Sequence, residues 1–287
     1  HIRGLQKLKS IGRNDFRLAA VCDPFETNAR MPADTAAGLL SFRPSLHASL
    51  DALLASEDQI DALILTTAPD THAAIGTKAL DAGLDVLVEK PIALTVRQGL
   101  VLVEAAKRSG RLLAVAENYR RDPMNRLAKA VIDAGLIGRP FLAVQTSSGS
   151  GGRVIITPWR HLRRTGGIIV DMGIHYADIL EYLLGPIDRL AGLNATVDHQ
   201  RADDAGTLHD VDAEALSVGV AQFRSGAIAN WVVNLAARGE SSFARTVYGT
   251  SGTLAIPHDR SGDPLRLSIR EEGREIELSE SDILSLL

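Results

Sequence analysis

Two places in this 287-residue chain combine side-chain types and spacing that could do chemistry. The first is LDVLVEKP, residues 84–91, an apolar run that ends in Glu89, Lys90 and Pro91. Apolar surroundings disfavour a lysine's ammonium form, and an adjacent glutamate opposes that shift. An ammonium held there can donate to a substrate hydroxyl or stabilise a developing alkoxide. The same residues could also be a charge pair at a solvated loop whose direction Pro91 fixes. The second place is GGIIVDMGIHYADIL, residues 166–180, where Asp171, His175 and Asp178 are spaced four and three apart. Positions i and i+4 share a helix face, so Asp171 and His175 are expected to touch. A carboxylate beside an imidazole orients it and suits it to general-base work. A buried histidine satisfied by its neighbour gives the same pattern, and a metal would need a further ligand, so no metal is expected.

Two weaker constellations lie nearer the start. Cys22-Asp23-Pro24 closes an apolar run. An acid at the end of the second strand of a dinucleotide-binding unit accepts hydrogen bonds from the adenosine ribose. Asp23 fits that place, or it is a turn-forming residue before proline. No Arg or Lys follows it at once, which favours NAD over NADP. In TTAPDTHAAI, residues 66–75, Thr66 and Thr67 end a run, Pro69 turns the chain, and His72 enters a helix. His72 there is either a packing residue or a ligand. Residues 149–152, GSGG, read as a mobile loop.

These residues need elements to place them. Apolar runs at 17–22, 61–67, 85–90 and 111–118 are strand-length and lack clean alternation, as parallel strands buried on both faces do. Helical segments at 49–55, 70–82 and 95–109 lie between them. Asp70 or Thr71 is expected to cap the second and Thr95 the third, with Gly83 and Gly110 past their ends. Such alternation predicts a doubly wound α/β domain, with strand ends forming the ligand edge. Residues 31–45 give no clear pattern. After residue 120 a helix at 124–134 and another at 170–184 precede strands joined by local turns, including Ser225-Gly226. The expectation is an α+β domain with a largely antiparallel, open sheet. Its exposed face would make a homodimer or homotetramer.

Composition narrows the classes. Hydrophobic residues make up 45% and charged residues 23%, with a net charge of −4, so a globular enzyme fits and a nucleic-acid partner does not. Cys22 is the only cysteine, which excludes an internal disulfide and suits the cytoplasm. No apolar run reaches the roughly 20 residues that span a bilayer, so no membrane partner is expected. The first residues, HIRGLQKLKSIG, read as the middle of a helix. The Gly-rich fingerprint GxGxxG of a first Rossmann strand does not occur, and the chain is expected to start downstream of it.

In order and spacing, the motifs together resemble the Gfo/Idh/MocA family of oxidoreductases over nearly the whole chain. Residues 88–91 (VEKP) match the family's EKP, and Asp171 to His175 with Asp178 match its DxGxHxxD helix. Residues 67–72 (TAPDTH) look like its TPxxxH turn with Ala68 for the usual proline; Asn118-Tyr119-Arg120 and Trp159-Arg160 match its N-Y-R and W-R pairs. The resemblance implies an N-terminal Rossmann NAD(P)-binding domain, residues 1–118 and truncated at its start, and a substrate-binding and oligomerisation domain, residues 119–287. The family continues past this chain's last residue with a helix and a strand, so the second domain is expected to be truncated too.

The resemblance also implies hydride transfer between nicotinamide and the hydroxyl-bearing carbon of a sugar, polyol or inositol. NAD is the expected cofactor, with NADP possible. Lys90, Asp171 and His175 would be catalytic: Lys90 on the reacting hydroxyl, His175 the proton acceptor, Asp171 its partner or a substrate ligand. Cofactor-binding positions would be Asp23, Thr66, Thr67, Ala68, Pro69, His72, Glu89, Lys90, Asn118, Trp159 and Arg160. Substrate would meet Lys90, Tyr119, Arg120, Arg160, Asp171 and His175, with His161 and residues 149–157 adding specificity. Two rival activities share the fold: a non-catalytic nucleotide or sugar sensor, which has no need of a proton acceptor, and an NAD-dependent glycoside-cleaving enzyme.

Overall fold

The computed structural model describes residues 1–56, 58–271 and 273–287. The chain divides into two compact units: His1–Thr67 with Thr71–Val88 and Thr95–Ala114, and Ala68–Asp70 with Glu89–Leu94 and Val115–Leu287.

The first unit contains α1 (Ile2–Ser10), β1 (Ala20–Cys22), α2 (Glu26–Leu40), β2 (Ser45–His47), α3 (Leu50–Leu54), β3 (Ala62–Leu65), α4 (His72–Asp81), β4 (Asp85–Val88) and α5 (Val96–Ser109). It ends in β5 (Leu113–Val115). β1 pairs with β2 in parallel, and β3 with β4 in parallel; β5 lies on the far side of β4. These match positions 2, 3, 4, 5 and 6 of the dinucleotide-binding strand order, and no strand among the described residues takes position 1. Strand side chains such as Leu65, Val86 and Val88 are buried. Thr95 caps α5 by accepting the Gln98 N–H at 3.2 Å, and Gly110 ends it with φ 67°.

One local expectation needs correction. Thr71 occupies the cap position of α4 but makes no side-chain cap bond, because its hydroxyl pairs with that of Thr67 at 2.6 Å. Residues 31–45, unreadable in sequence, hold most of α2 and the start of β2. Pro32 sits inside α2, and the helix buries only Ala29, Ala33, Ala36 and Leu40. A proline and a stripe of small residues hide the usual signals.

The second unit opens with α6 (Pro123–Asp133), β6 (Pro140–Ser150), α7 (Gly167–Leu184) and β7 (Ile187–Ala195). A small hairpin follows, β8 (Gln200–Ala202) with β9 (Leu208–Asp210). Then come β10 (Leu216–Phe223), β11 (Ile228–Ala237), β12 (Ser242–Gly249), β13 (Gly252–Ile256), β14 (Arg266–Glu271), β15 (Arg274–Leu278) and α8 (Glu280–Leu286). The eight-stranded sheet runs β15-β14-β13-β12-β6-β11-β10-β7. All its neighbours are antiparallel except β6 and β11. Alternation along β10 buries Ser217, Ala221 and Phe223 and exposes Val218 and Val220. Ala128, Val131, Ile179, Leu180 and Leu183 of α6 and α7 pack into the same core as Phe223, Val247 and Leu254. One sheet face therefore packs against both α6 and α7.

The GSGG stretch is not wholly loop: Gly149 and Ser150 finish β6. Gly151 donates to the Ala237 carbonyl at 2.9 Å, and a Cβ there would lie 2.3 Å from that oxygen. Glycine lets the two backbones meet, so the segment is anchored where it leaves the sheet.

Candidate active site

α7 is the platform. Gly166 and Gly167 start it with φ of 97° and 75°, and a Cβ on Gly167 would come within 2.7 Å of Ala213 Cβ. The helix then presents Asp171, His175 and Tyr176 as buried residues. Asp171 and His175 are one turn apart on one face, about 6 Å along the axis at 1.5 Å per residue.

They do not pair with each other, contrary to the expectation from spacing. Asp171 binds two cations. Lys90 Nζ donates to its Oδ1 at 2.8 Å and to its main-chain oxygen at 2.7 Å, while Arg160 Nη1 donates to its Oδ2. A lysine and an arginine together outcompete an imidazole for one carboxylate. Lys90 lies on Glu89–Leu94, after β4, where the Lys90–Pro91 bond is cis. Arg160 also lies over the Trp159 ring, 4.8 Å from its centroid.

His175 finds its carboxylate elsewhere. Its Nδ1 lies 2.8 and 2.9 Å from the two oxygens of Glu117, just past β5. Glu117 Oε1 also accepts the Tyr119 N–H at 2.8 Å. The Tyr119 ring stacks on the imidazole, with centroids 4.1 Å apart and planes 7° from parallel. Burial pushes the Glu117 carboxyl up. Hydrogen bonds from His175 and the Tyr119 N–H, with the charges of His175 and Lys90, outweigh burial and hold it below its ordinary value. An ionised Glu117 only accepts, so Nδ1 of His175 is the donor, and Nε2 is the nitrogen left to exchange a proton with a substrate. Sequence reasoning missed Glu117. The available signal was an acid just past the end of a strand, as with Asp23.

Other expected site residues have structural partners. Arg120 grips Asp178 with two bonds, 2.6 and 2.7 Å, and this pairing raises its pKa. Tyr119 is buried beneath His175, so it is placed to support the imidazole rather than to face a substrate. His161 is 2% exposed, and its Nε2 accepts the Ile155 N–H at 2.8 Å. Burial, with the charges of Arg201 and Arg160, pushes it down to about 4 against a smaller upward pull from Asp171, so it is neutral and pins the 149–157 segment. It is not a specificity residue reaching into solvent.

In the first unit, Asp23 follows β1 and Thr66 and Thr67 follow β3, all at carboxyl ends of parallel strands. Thr66 and Thr67 are exposed and Asp23 is partly buried. Asp23 Oδ1 accepts the Phe25 N–H at 2.8 Å and Asn28 Nδ2 at 3.3 Å, so the turn role is real. His72 is fully buried, with Nε2 3.0 Å from the Thr67 carbonyl oxygen, which makes it a packing residue that shapes this turn. Hydroxyls and a carboxylate at the carboxyl edge of a parallel sheet fit a dinucleotide's ribose and phosphates. Glu89 Oε2 accepts the Lys90 N–H at 3.2 Å. Asn118 precedes the short 3-10 turn Tyr119–Arg121, and Pro69 begins another, Pro69–Thr71, which Ala68 precedes. Among the described residues, no group of three or more His, Cys, Asp or Glu could hold a metal ion. Among the described residues no helix is long and apolar enough to cross a membrane.

A parallel α/β unit of the doubly wound kind, together with a helix-backed and largely antiparallel sheet, defines a two-part fold in which Lys90, Asp171 and His175 belong to one compact unit. The chain belongs to the GFO/IDH/MocA family. Residues 4–117 match the family's NAD-binding Rossmann fold, and residues 125–255 match its C-terminal domain. Inositol 2-dehydrogenase of Rhizobium meliloti is 30% identical over 253 residues, 87% of this chain and 70% of that protein. The NAD(+)-dependent scyllo-inositol 2-dehydrogenase of Bacillus subtilis is 31% identical over 198 residues, 69% of this chain and 55% of its own length. The chain thus spans between about half and 70% of these relatives. An NAD binding oxidoreductase from Klebsiella pneumoniae shares the fold with TM-score 0.80 and 23% identity, over 97% of this chain and 74% of that one. Levoglucosan dehydrogenase in complex with NADH and L-sorbose shares it with TM-score 0.75 and 22% identity, over 91% and 70%.

Proposed function

We propose that the protein is an NAD-dependent dehydrogenase that oxidises a hydroxyl-bearing carbon of an inositol, sugar or polyol. The observation that carries this reading is the Lys90–Asp171–Arg160 cluster one helical turn from the Glu117–His175 pair. A secondary alcohol gives up hydride only as its oxygen loses a proton, so a base and a cation must act on one oxygen. His175 Nε2 is the free imidazole nitrogen and takes the hydroxyl proton. Glu117 stabilises the imidazolium that results. Lys90 donates to the substrate oxygen as negative charge grows there. Asp171 fixes the lysine's position, and Arg160 shares that carboxylate and adds positive charge beside it.

The cofactor reading rests on the family's Rossmann model and on the scyllo-inositol 2-dehydrogenase named for NAD(+). Asp23 would hold the adenosine ribose; Thr66, Thr67, Ala68 and Pro69 would flank the dinucleotide. Bound there, nicotinamide supplies the hydride acceptor. In this reading residues 1–118 bind cofactor and residues 119–287 bind substrate and form a homodimer or homotetramer. Support for assembly comes from the outer face of the sheet, where Leu193, Val218, Val220 and Ile228 are exposed together. A cytoplasmic location fits the lone cysteine and the cofactor.

The inositol and levoglucosan relatives favour cyclic polyols and pyranose-like rings as the first substrates to test. The test is NADH formation with NAD over a panel of inositols, sugars and polyols. Turnover on a ring polyol is expected. Silence across the panel, with NAD bound, would contradict the reading in favour of a sensor.

A further inference from the structure

Behind Tyr119 lies a buried polar network that the proposed reaction does not use directly. Arg245 on β12 and Asp259 are each about 1% exposed at the side chain. They meet through two parallel bonds of 3.0 Å. Arg245 Nη1 also donates to Asn125 Oδ1 at 2.8 Å, and Nε donates to Gln145 Oε1 at 2.7 Å. Asn125 is the node. Its Nδ2 donates to Asp259 Oδ1 and, at 3.0 Å, to the carbonyl of Tyr119.

Such a network is a poor way to gain stability. Burying an ion pair is at best near neutral compared with apolar packing. Here it also leaves Gln145 Nε2 buried without a hydrogen-bond partner. What it fixes is geometry. Tyr119 is held at three points: its carbonyl by Asn125, its N–H by Glu117, its ring by His175. The Arg245 guanidinium also lies 5.8 Å from the Tyr119 ring centroid. A shift of the Tyr119 main chain would move both the Glu117 carboxylate and the face on which the imidazole rests.

We propose that the Arg245–Asp259 pair, acting through Asn125 on the main chain of Tyr119, positions the Glu117–His175 pair for proton transfer. The proposal rests on His175 as the proton acceptor. Arg245, Asp259 and Asn125 are positioning residues, for they touch neither the imidazole nor the substrate in that role.

Asn125→Ala cuts the link to Tyr119 and leaves Arg245 and Asp259 paired. Two readouts decide: kcat and KM with the best panel substrate, and the proton resonance of His175 Nδ1–H. The expectation is a kcat at least tenfold lower, a KM within twofold of wild type, and a displaced Nδ1–H resonance. A resonance at its wild-type position, or a kcat within twofold of wild type, would overturn the proposal. If Asn125→Ala does not fold, Arg245→Lys, which keeps the charge and loses the two-pronged geometry, is judged by the same readouts. If the wild-type protein oxidises nothing on the panel, the proposed reaction fails, and the resonance alone decides whether the network positions His175.

Discussion

His175 donates through Nδ1 to Glu117 at 2.8 Å, across 58 residues of sequence, although Asp171 lies one turn away on its own helix. The pairing divides labour between two carboxylates. Glu117 orients the imidazole, and Asp171 gathers Lys90 and Arg160. Base and cation are thus held by separate anions, and each can be tested separately.

Glu117→Gln should lower kcat by about 10²–10⁴-fold, because a neutral amide no longer dictates the imidazole tautomer or stabilises its cation. The same substitution has a stability signature. The Glu117 carboxyl is held below its ordinary value, so its contribution is full above the unfolded carboxyl pKa and fades as pH falls through the folded one. Urea unfolding from pH 6 downward should be less pH-dependent in the variant than in the wild type.

Lys90→Ala should cut turnover by about 10²–10⁴-fold while NAD binding is mostly kept, since the lysine acts on the developing alkoxide. Steady-state rates beside calorimetric titration with NAD check both halves. A wild-type rate would remove Lys90 from the mechanism.

Asp171→Asn should be worse for the fold than Lys90→Met. Removing the 7%-exposed carboxylate leaves Lys90 and Arg160 facing each other, a loss of about 3 kcal/mol. Lys90→Met leaves Asp171 paired with Arg160 and should cost about 1 kcal/mol. Chemical denaturation of both variants at pH 7 gives the order; the reverse order would refute the shared-anion geometry.

His161 gives a pH dependence of opposite origin. Burial lowers it to about 4 in the folded chain, so between the unfolded value of 6.5 and 4 the unfolded state binds a proton that the native state refuses. Stability should therefore fall as pH drops through that window, by up to about 3 kcal/mol from this residue at about 1.4 kcal/mol per pKa unit. His161→Asn should flatten the profile between pH 6.5 and 4. An equal slope in both proteins would contradict the assignment.

Much of this was legible from residue order. The strand runs ending at Cys22, Leu65 and Val88 follow from continuous apolar stretches, and α5 from Thr95 and Gly110. Lys90, Asp171 and His175 were visible as candidates because VEKP and the 171–178 helix carry charge where the surrounding pattern is apolar. Glu117 was not, since its partner lies 58 residues away and spacing on one helix points to Asp171 instead. Arg245 and Asp259 were equally hidden: strand alternation marks a buried face but cannot say that a buried arginine has an aspartate waiting. α2 escaped notice because alanines, with a proline among them, bury its face.

The most direct test of the account is the ratio of kcat for His175→Ala to that of the wild type, measured as NADH formation on the best inositol or sugar of the panel. The account predicts a fall of at least about 100-fold with the substrate KM little changed. A variant within twofold of wild type would show that the proton leaves by another route and that the Glu117–His175 pair is structural.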